Sequence, residues 1–409
     1  MSSKWLSWEE VNTMLRNKEL VFYGRSDDWI PKALKKMLKR PEVIIDSNPD
    51  FSGTLYEDIP VESKEYLLEQ IRQKNIFVVI TTANYHGVEA FLADNGMVAG
   101  VDFACCPEYR SFSLREEIIN YKQEVIVCSS DYNDQSKARS SVTGGGVFKY
   151  YIGPNELERM AEGSFRQITQ AKDLFYAVDH VDRRVCVFDR DFKLLETFYS
   201  ESPKNCGITY NEKRNLIIIS NPEYDTISIY DASNFEKIEC IPYSTRMEGN
   251  LTSQHHINDI CSTDDHLYIS YFSHSGNWKK GAYDGGISEI GLENLTAPPV
   301  QVVSNLWQPH SPEIINGELC YLDSMRGRLH LTTHIIAGEF PGFTRGLAYD
   351  GRFYYIGQTE NMYISRLIGE RKNIMLNAGF YLFDVTTKAS RFFPMFGNMN
   401  VHDLLIEID

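Results

Sequence analysis

The sequence lacks the long apolar run that a membrane-spanning helix needs, because no stretch approaches the roughly 18 uninterrupted apolar residues required. Its first residues, MSSKWLSWEEVN, carry acids where a signal peptide has its apolar core. These two absences predict a soluble, cytoplasmic protein with no membrane span.

Basic residues are scarce relative to acidic ones. The chain has 41 Lys and Arg against 56 Asp and Glu, a formal net charge of −15. Nucleic acids are bound through clustered basic side chains that neutralise the phosphate backbone. We therefore expect no nucleic-acid partner.

The eight cysteines form no Cys-x-x-Cys pair, and several lie in apolar, strand-like runs. This pattern is typical of reduced thiols in the core of a cytoplasmic protein. The sequence also lacks a Walker loop, an HExxH zinc motif and a serine nucleophile elbow. No motif of this kind assigns a reaction.

What the first hundred residues do contain is an alternation of apolar strands and amphipathic helices. ELVFYG (19–24), PEVIIDS and IFVVITT (76–82) read as buried strands, with DDWIPKALKKMLKR and KEYLLEQIRQK between them. The order strand, helix, strand favours a small parallel sheet wrapped by helices. We predict a Rossmann-like α/β domain over residues 1–112.

Gly24 closes the first strand-to-helix turn and Asp46 ends the second strand, the positions that bind phosphate and ribose in dinucleotide sites. The turn offers one glycine where a phosphate loop needs several, and Asp27 and Asp28 would repel a pyrophosphate. Two interpretations stay open: a cofactor site at Gly24 and Asp46, or a structural or partner-docking role.

Through Gly24, Asp46 and the Ile59-Pro60-Val61 segment, the domain resembles the small Rossmann-like domain attached to sugar-modifying enzymes of surface-glycan pathways. The resemblance implies a role in carbohydrate metabolism, in particular in glycan biosynthesis.

From about residue 122 the sequence changes to short strands at a spacing of roughly 40 to 50 residues, the period of four-stranded propeller blades. Five copies are complete, and the clearest covers residues 206–241. Residues 124–160 supply three further strands, and the C-terminal VHDLLIEI supplies one. We predict that residues 113–409 form a six-bladed β-propeller closed by the C-terminal strand. The alternative has five blades, with residues 124–160 outside.

In such a propeller the starts of the inner strands meet around the axis, at the face that also carries the loops between second and third strands. Three of the ten histidines and two arginines occupy equivalent places in the repeat. The polar residues at these starts are Arg166, Asn205, His256, Asn258, His310, Ser311, Arg345, His402 and Asp403. The pattern predicts a binding site at the mouth of the axial channel.

The long loops at 129–145, 272–285 and 359–377 add cations and an aromatic side chain to the same face. They contribute Lys137, Arg139, His274, Trp278, Lys279, Lys280 and Arg366. An acidic protein that gathers cations at one mouth is expected to bind an anion. The predicted substrate-binding residues are Arg166, Asn205, Asn258, Arg345, Lys279, Arg366 and Trp278.

His256, His310 and His402 are the predicted catalytic residues. Two interpretations stay open for them: acid and base near neutral pH, or a three-imidazole site for a divalent metal. Asp259 and Asp403 are placed to orient a ring. Ser311 is expected in a turn, and His86 at the start of a helix, in a capping or solvent contact. Four further histidines are expected at the surface, in turns or outer positions: His180, His266, His330 and His334.

The phrases HHIND, PHSPEI, PGFTRGLAYDG and HDLLIEI resemble an uncharacterised propeller family over most of residues 200–409. That resemblance implies the fold and gives weight to His310 and Arg345. The function predicted is binding and chemical transformation of an anionic saccharide or sugar nucleotide, by lyase, hydrolase or transferase chemistry. The alternative is a non-catalytic interaction module that docks a partner enzyme, or a second copy, through the N-terminal domain.

Overall fold

The structure is a computed structural model, and it describes residues 4–73, 75–131, 144–200, 202, 204–244, 253–333, 335–360, 373–398 and 400–407. The chain divides into two compact units, Met1–Asn120 and Tyr121–Asp409. The predicted boundary after residue 112 falls inside a helix of the first unit, Arg110–Asn120. No helix within the described ranges has the length and apolar character to cross a bilayer.

The first unit is a six-stranded sheet with helices. Its strands are β1 (Glu19–Tyr23), β2 (Val43–Ile45), β3 (Leu55–Tyr56), β4 (Ile59–Glu62), β5 (Ile76–Ile80) and β6 (Phe103–Cys105). Its helices are α1 (Trp8–Met14), α2 (Ile30–Leu34), α3 (Lys64–Gln73), α4 (Tyr85–Asp94) and α5 (Arg110–Asn120). The strand order is β3-β4-β2-β1-β5-β6, and all neighbours are parallel except the β3–β4 hairpin. The predicted Rossmann-like fold is confirmed.

Strand β5 shows why this segment forms a central strand. Its sequence, IFVVI, is buried at every position, which is the pattern of a parallel strand covered on both faces. It pairs with β1 on one side and β6 on the other.

The second unit is a six-bladed β-propeller, so the six-blade prediction is confirmed and the five-blade alternative is wrong. Every blade is a four-stranded antiparallel sheet. Three strands of the first blade are β7 (Gln123–Asp131), β8 (Gly144–Ile152) and β9 (Glu156–Glu162), and its inner strand comes from the C-terminus. The second and third blades are β10 (Phe165–Ala171), β11 (Leu174–Asp179), β12 (Arg184–Phe188) and β13 (Leu194–Tyr199), then β14 (Ile208–Asn211), β15 (Leu216–Asn221), β16 (Thr226–Asp231) and β17 (Lys237–Pro242).

The remaining blades follow the same plan from inner to outer strand. The fourth blade has β18 (Ile257–Ser262), β19 (His266–Tyr271), β20 (Gly285–Gly291) and β21 (Val300–Leu306). The fifth has β22 (Pro309–Ile315), β23 (Glu318–Asp323), β24 (Arg328–Leu331) and β25 (Ile335–Glu339). The sixth has β26 (Phe343–Tyr349), β27 (Tyr354–Thr359), β28 (Gly379–Phe383) and β29 (Ser390–Pro394).

The ring is closed by β30 (Asp403–Leu405), which forms the inner strand of the first blade. It pairs antiparallel with β7, with Leu404 opposite Val127. Because β30 covers the inner edge of β7, the first blade has four strands like every other blade. The predicted closure by the C-terminal strand is confirmed.

The inner strands of four blades carry a β-bulge or irregularity at equivalent places. These lie between Phe165 and Ile168, Ile257 and Ile260, His310 and Glu313, and Thr344 and Leu347. A bulge leaves its extra residue out of the ladder and re-aims the side chain. Arg166, Asn258, Ser311 and Arg345 all lie in these interruptions.

Side chains at the bulges also link neighbouring blades. Asp403 Oδ2 accepts from the Ile168 amide at 3.0 Å, and Asp259 Oδ2 accepts from the Ser311 amide at 2.8 Å. Ser311 Oγ in turn accepts from the Gly346 amide at 2.9 Å. Buried backbone donors are thereby satisfied between blades. These contacts give Ser311 a structural role.

The histidines expected at the surface have four different outcomes. His86 and His266 are exposed, as expected. His330 is buried and stacks on Tyr321 at 4.7 Å, so the surface expectation was wrong for this residue. His334 lies outside the described residues. His180 occupies a turn, but that turn faces the channel.

The cysteines are all free thiols, and seven of the eight are buried. Cys240 on the outer strand β17 is the exposed one. Burial raises the pKa of Cys105 to about 12, so this thiol stays protonated at neutral pH.

Candidate functional site

A cavity of about 250 Å³ opens at the mouth of the propeller channel. Its walls come from all six inner strands or the residues before them, and from the segments after second strands. The lining residues are Arg166, His180, Lys204, Cys206, Pro222, His256, Asn258, Asp259, Phe272, Trp278, His310, Arg345, Asn400 and His402. The structure therefore brings together most of the residues predicted at this mouth.

Two arginines from different blades converge on one imidazole. Arg166 Nη1 lies 2.6 Å from Nε2 and 3.0 Å from Nδ1 of His402, and Arg345 Nη1 lies 3.1 Å from the same Nδ1. Ser130 Oγ lies 2.8 Å from Nε2. A guanidinium can only donate hydrogen bonds, so His402 accepts from it and is neutral.

A second imidazole holds Arg345 from the other side. Arg345 Nε donates to His310 Nε2 at 3.1 Å, and Asn258 Nδ2 lies 2.9 Å from the same nitrogen. The proton of His310 is therefore on Nδ1, which donates to the Gln308 carbonyl at 2.9 Å. Both nitrogens of His310 are engaged within the protein.

The imidazoles of the cavity carry no charge at neutral pH. Burial, reinforced by the Arg345 guanidinium, lowers the pKa of His256 to about 3 and that of His310 well below its ordinary value. Burial and Arg166 likewise lower the pKa of His402, and they lower the pKa of His180 to about 4. Arginine therefore provides the positive charge beside these imidazoles.

Arg166 remains a cation in this setting. Burial lowers the pKa of its guanidinium to about 10, which still leaves it protonated at neutral pH. Within the described part of the chain, no carboxylate lies within ion-pair distance of Arg166, and its Nε has no hydrogen-bond partner. A charge held in this way can stabilise an incoming anion.

His256 differs from the other two predicted catalytic histidines. Its ring packs 4.4 Å from Trp278 and 4.5 Å from Phe272, measured between ring centroids. No hydrogen bond to its imidazole is formed by the described residues. His256 also has a φ of 52°, a left-handed conformation that is uncommon outside glycine and is enriched at functional sites.

Three carboxyl groups cluster around the channel near the arginines. Burial raises the pKa of Asp259 to about 6, that of Glu313 to about 8, and that of Asp403 well above its ordinary value. The shifts of Glu313 and Asp403 also reflect repulsion from Asp259. At neutral pH, Asp259 is the member of this group that is mainly ionised.

The predicted metal site does not assemble. Within the described ranges there is no group of three or more His, Cys, Asp or Glu side chains that could hold a metal ion. The reason is visible in two of the three imidazoles, because Arg345 lies between His310 and His402 and donates to both. A metal ligand needs a free nitrogen lone pair, and a guanidinium beside it repels the cation.

Several lining residues were missed by the sequence reasoning. His180, Pro222 and Phe272 each directly follow the second strand of a blade, at the end of β11, β15 and β19. His180 and Pro222 lie in short turns, whereas Phe272 belongs to the long loop at 272–285, from which only His274, Trp278, Lys279 and Lys280 were predicted. Aligning the residue after every second strand would have found all three.

The predicted Asn205 does not line the cavity. Its side chain is fully buried with no hydrogen-bond partner in the described structure, while its carbonyl accepts from Nδ1 of His180 at 2.8 Å. Its neighbours Lys204 and Cys206 line the cavity instead. Lys204 is half exposed and pairs with Glu223 at 3.1 Å.

The predicted loop residues have different outcomes. Trp278 begins a short 3₁₀ helix, Trp278–Lys280, and lines the cavity. Lys279 is exposed above the Trp278 ring, with its Nζ 5.4 Å from the ring centroid, and is not part of the lining. Arg366 lies outside the described residues, as do Lys137 and Arg139.

In the first unit, Asp46 is occupied by backbone contacts. Its carboxylate accepts from the amides of Arg25 at 2.7 Å and Asn48 at 2.8 Å. Helix α2 begins only at Ile30 and has five residues, so it provides little dipole near Gly24 for a phosphate. These contacts give Asp46 a structural role and leave the cofactor prediction for Gly24 and Asp46 without support.

No protein-family model matches the sequence, and no curated protein matches it. Among solved structures, a chain from the crystal structure of a nidogen/laminin complex is 9% identical, with a TM-score of 0.47, over 69% of this chain and 97% of that one. A protein provisionally described as a gluconolactonase is 12% identical, with a TM-score of 0.42, over 58% of this chain and 80% of that one. At these values neither similarity carries an argument about function.

Proposed function

We propose that the propeller binds an anionic saccharide in the cavity at the channel mouth and transforms it by acid or base chemistry. The observation that carries this proposal is the partly buried Arg166 guanidinium, which has no carboxylate within ion-pair distance among the described residues and lies beside Arg345 across His402. Two cations of like charge at one wall repel each other, and an anion between them relieves that repulsion.

The roles follow from the contacts of each side chain. Arg166 and Arg345 hold the anion, while His310 and His402 fix the arginines rather than act on the ligand. His256, with no hydrogen bond from the described residues, is the acid or base. Because its pKa is lowered to about 3, it begins the reaction neutral and can accept a proton.

The proposed role in sugar metabolism is supported by the resemblance of the first unit to a Rossmann-like domain of surface-glycan enzymes. The lyase, hydrolase or transferase class stays a prediction.

Binding can be tested by a thermal-shift experiment with D-glucuronate, D-galacturonate and UDP-glucuronate. We expect at least one of these anions to raise the Tm of the wild-type protein and of Lys280→Gln, an exposed control outside the lining. Arg166→Gln should lose the shift while remaining folded. An undiminished shift in Arg166→Gln would refute the anion site.

Catalysis is tested separately with His256→Asn. The variant should retain affinity within about tenfold but lose turnover of any bound sugar acid, followed by NMR of the sugar protons. Turnover that persists would remove His256 from the mechanism. Binding without turnover in the wild type would favour the non-catalytic module.

A further inference from the structure

His180 lines the cavity but has no role in the proposed function. It occupies the turn after β11, in the second blade, and it is partly buried. Its backbone amide donates to the carbonyl of Ser164 at 2.9 Å, which ties the turn to the segment before β10. The turn therefore holds the side chain at one place on the cavity wall.

The imidazole of His180 is held through one of its two nitrogens. Nδ1 lies 2.8 Å from the backbone carbonyl oxygen of Asn205 and 3.9 Å from Sγ of Cys206, both in the segment before β14. A carbonyl oxygen can only accept a hydrogen bond, so the proton of the neutral ring is on Nδ1. Nε2 therefore carries the lone pair.

The lone pair on Nε2 is free to contact a molecule in the cavity. Among the described residues, none forms a hydrogen bond with this nitrogen. His180 differs in this respect from His310 and His402, whose ring nitrogens are all engaged by side chains or backbone. An imidazole that donates to a carbonyl through Nδ1 is oriented to accept a proton at Nε2, because the carbonyl also stabilises the imidazolium that forms.

His180 and His256 reach the cavity from different blades. His180 follows β11 in the second blade, and His256 directly precedes β18 in the fourth. The rings are near enough for His180 to contribute to the lowered pKa of His256. The contacts of His256 with Phe272 and Trp278 are aromatic and do not fix its tautomer. Of the two imidazoles, His180 is therefore the one whose acceptor nitrogen is set before a ligand binds.

We infer that His180 is a second base of the cavity, and that its Nε2 removes a proton from the bound saccharide or from a water beside it. In that step one O–H or C–H bond breaks and the proton goes to Nε2. The electron pair stays on the oxygen or carbon and forms the new bond as the bond to the leaving group breaks. The imidazolium then gives the proton to the leaving group, which restores the neutral ring. The inference rests on the proposed function, because the base acts on the ligand that the arginines hold.

Two substitutions of His180 in the full chain distinguish a base from a structural residue. His180→Asn keeps a side-chain N–H that can donate to the Asn205 carbonyl, but it has no basic nitrogen, whereas His180→Ala removes both groups. Turnover of D-glucuronate, D-galacturonate and UDP-glucuronate is followed by NMR of the sugar protons, and binding by titration calorimetry. We expect both variants to lose turnover about a hundredfold or more, while His180→Asn keeps its affinity within about threefold. His266→Asn, which replaces an exposed histidine outside the cavity, is the matched control and should keep wild-type turnover.

A spectroscopic measurement tests the acceptor nitrogen directly. In the full chain with isotopically labelled histidine, the ring-nitrogen signals that disappear in His180→Asn belong to His180. We expect a protonated Nδ1 and an unprotonated Nε2 at neutral pH. A proton on Nε2 would overturn the inference.

The outcomes distinguish this inference from the proposed function. If His180→Asn keeps turnover within about tenfold while His180→Ala loses it, the hydrogen bond to Asn205 is what matters and the assignment as a base is wrong. If both variants keep turnover, His180 has no part in the chemistry, while the anion site and His256 are unaffected. If the wild type binds an anion and does not transform it, the acid or base chemistry of the proposed function and the role of His180 fail together.

Discussion

Arg345 Nε lies 3.1 Å from Nε2 of His310, so a neutral imidazole helps to orient this guanidinium. The contact also fixes the tautomer of His310, whose Nδ1 donates to the Gln308 carbonyl. His310 is therefore a positioning residue for Arg345.

This role predicts a difference between two substitutions of His310. His310→Gln keeps an acceptor near the place of Nε2 and should weaken sugar-acid binding by less than about threefold. His310→Ala leaves a buried donor of Arg345 unpaired, which costs about 1 to 3 kcal/mol, and should weaken binding about tenfold or more. Titration calorimetry measures both. Equal losses in the two variants would mean that His310 contacts the ligand directly.

The raised pKa of the Asp259 carboxyl predicts how the free energy of unfolding depends on pH. Its carboxyl has an ordinary pKa of 3.8, and burial raises the pKa in the folded state to about 6. The folded state thus retains a proton that the unfolded chain has lost, and the stability from this proton disappears as pH rises through about 6. At about 1.4 kcal/mol per pKa unit, the loss is at most about 3 kcal/mol.

The matched variant for this prediction is Asp259→Asn, which keeps an acceptor for the Ser311 amide but does not titrate. The free energy of unfolding of the wild type, relative to the variant, should fall by about 1 to 3 kcal/mol between about pH 4 and pH 7. Urea denaturation at several pH values measures it. A constant difference across this range would show that Asp259 has an ordinary pKa.

The closure of the ring by β30 predicts that Leu404→Ala lowers the free energy of unfolding by a large amount. Leu404 is 2% exposed in β30, the strand that closes the first blade, and removing a buried leucine side chain costs about 2 to 5 kcal/mol. Ile238→Ala on the outer strand β17 is the control, because Ile238 is 57% exposed and its loss should cost below about 1 kcal/mol. Denaturant unfolding compares them. Similar costs would contradict the importance of closure.

The backbone contacts of Asp46 predict that its substitution destabilises the first unit without changing ligand binding. Asp46→Ala leaves the amides of Arg25 and Asn48 without their acceptor and should destabilise the first unit by about 1 to 2 kcal/mol. NAD and UDP, tested by thermal shift, should affect wild type and variant alike. A nucleotide that stabilises only the wild type would restore the cofactor site at Gly24 and Asp46.

The sequence alone determined the order of the elements and favoured six blades over the five-blade alternative. Apolar runs such as IFVVI and LIIIS specify strands because their side chains must leave water, and the repeat period specifies four strands in each blade. The first blade has only three strands in sequence, and the C-terminal strand has no further strands after it. Pairing the two therefore completes the first blade. Because the starts of the inner strands are equivalent in the repeat, the sequence also predicted which residues lie at one mouth of the channel: Arg166, His256, His310, Arg345 and His402.

Only the tertiary structure decided what those side chains do. Residue types permit three histidines to be metal ligands, bases or hydrogen-bond acceptors. The choice depends on distances between blades far apart in sequence, as between Arg166 and His402 or between Arg345 and His310. The pKa shifts of these groups depend on burial, which exists only in the closed ring. The contacts between blades, rather than the residue type, distinguish His256 from His310 and His402, which hold the arginines.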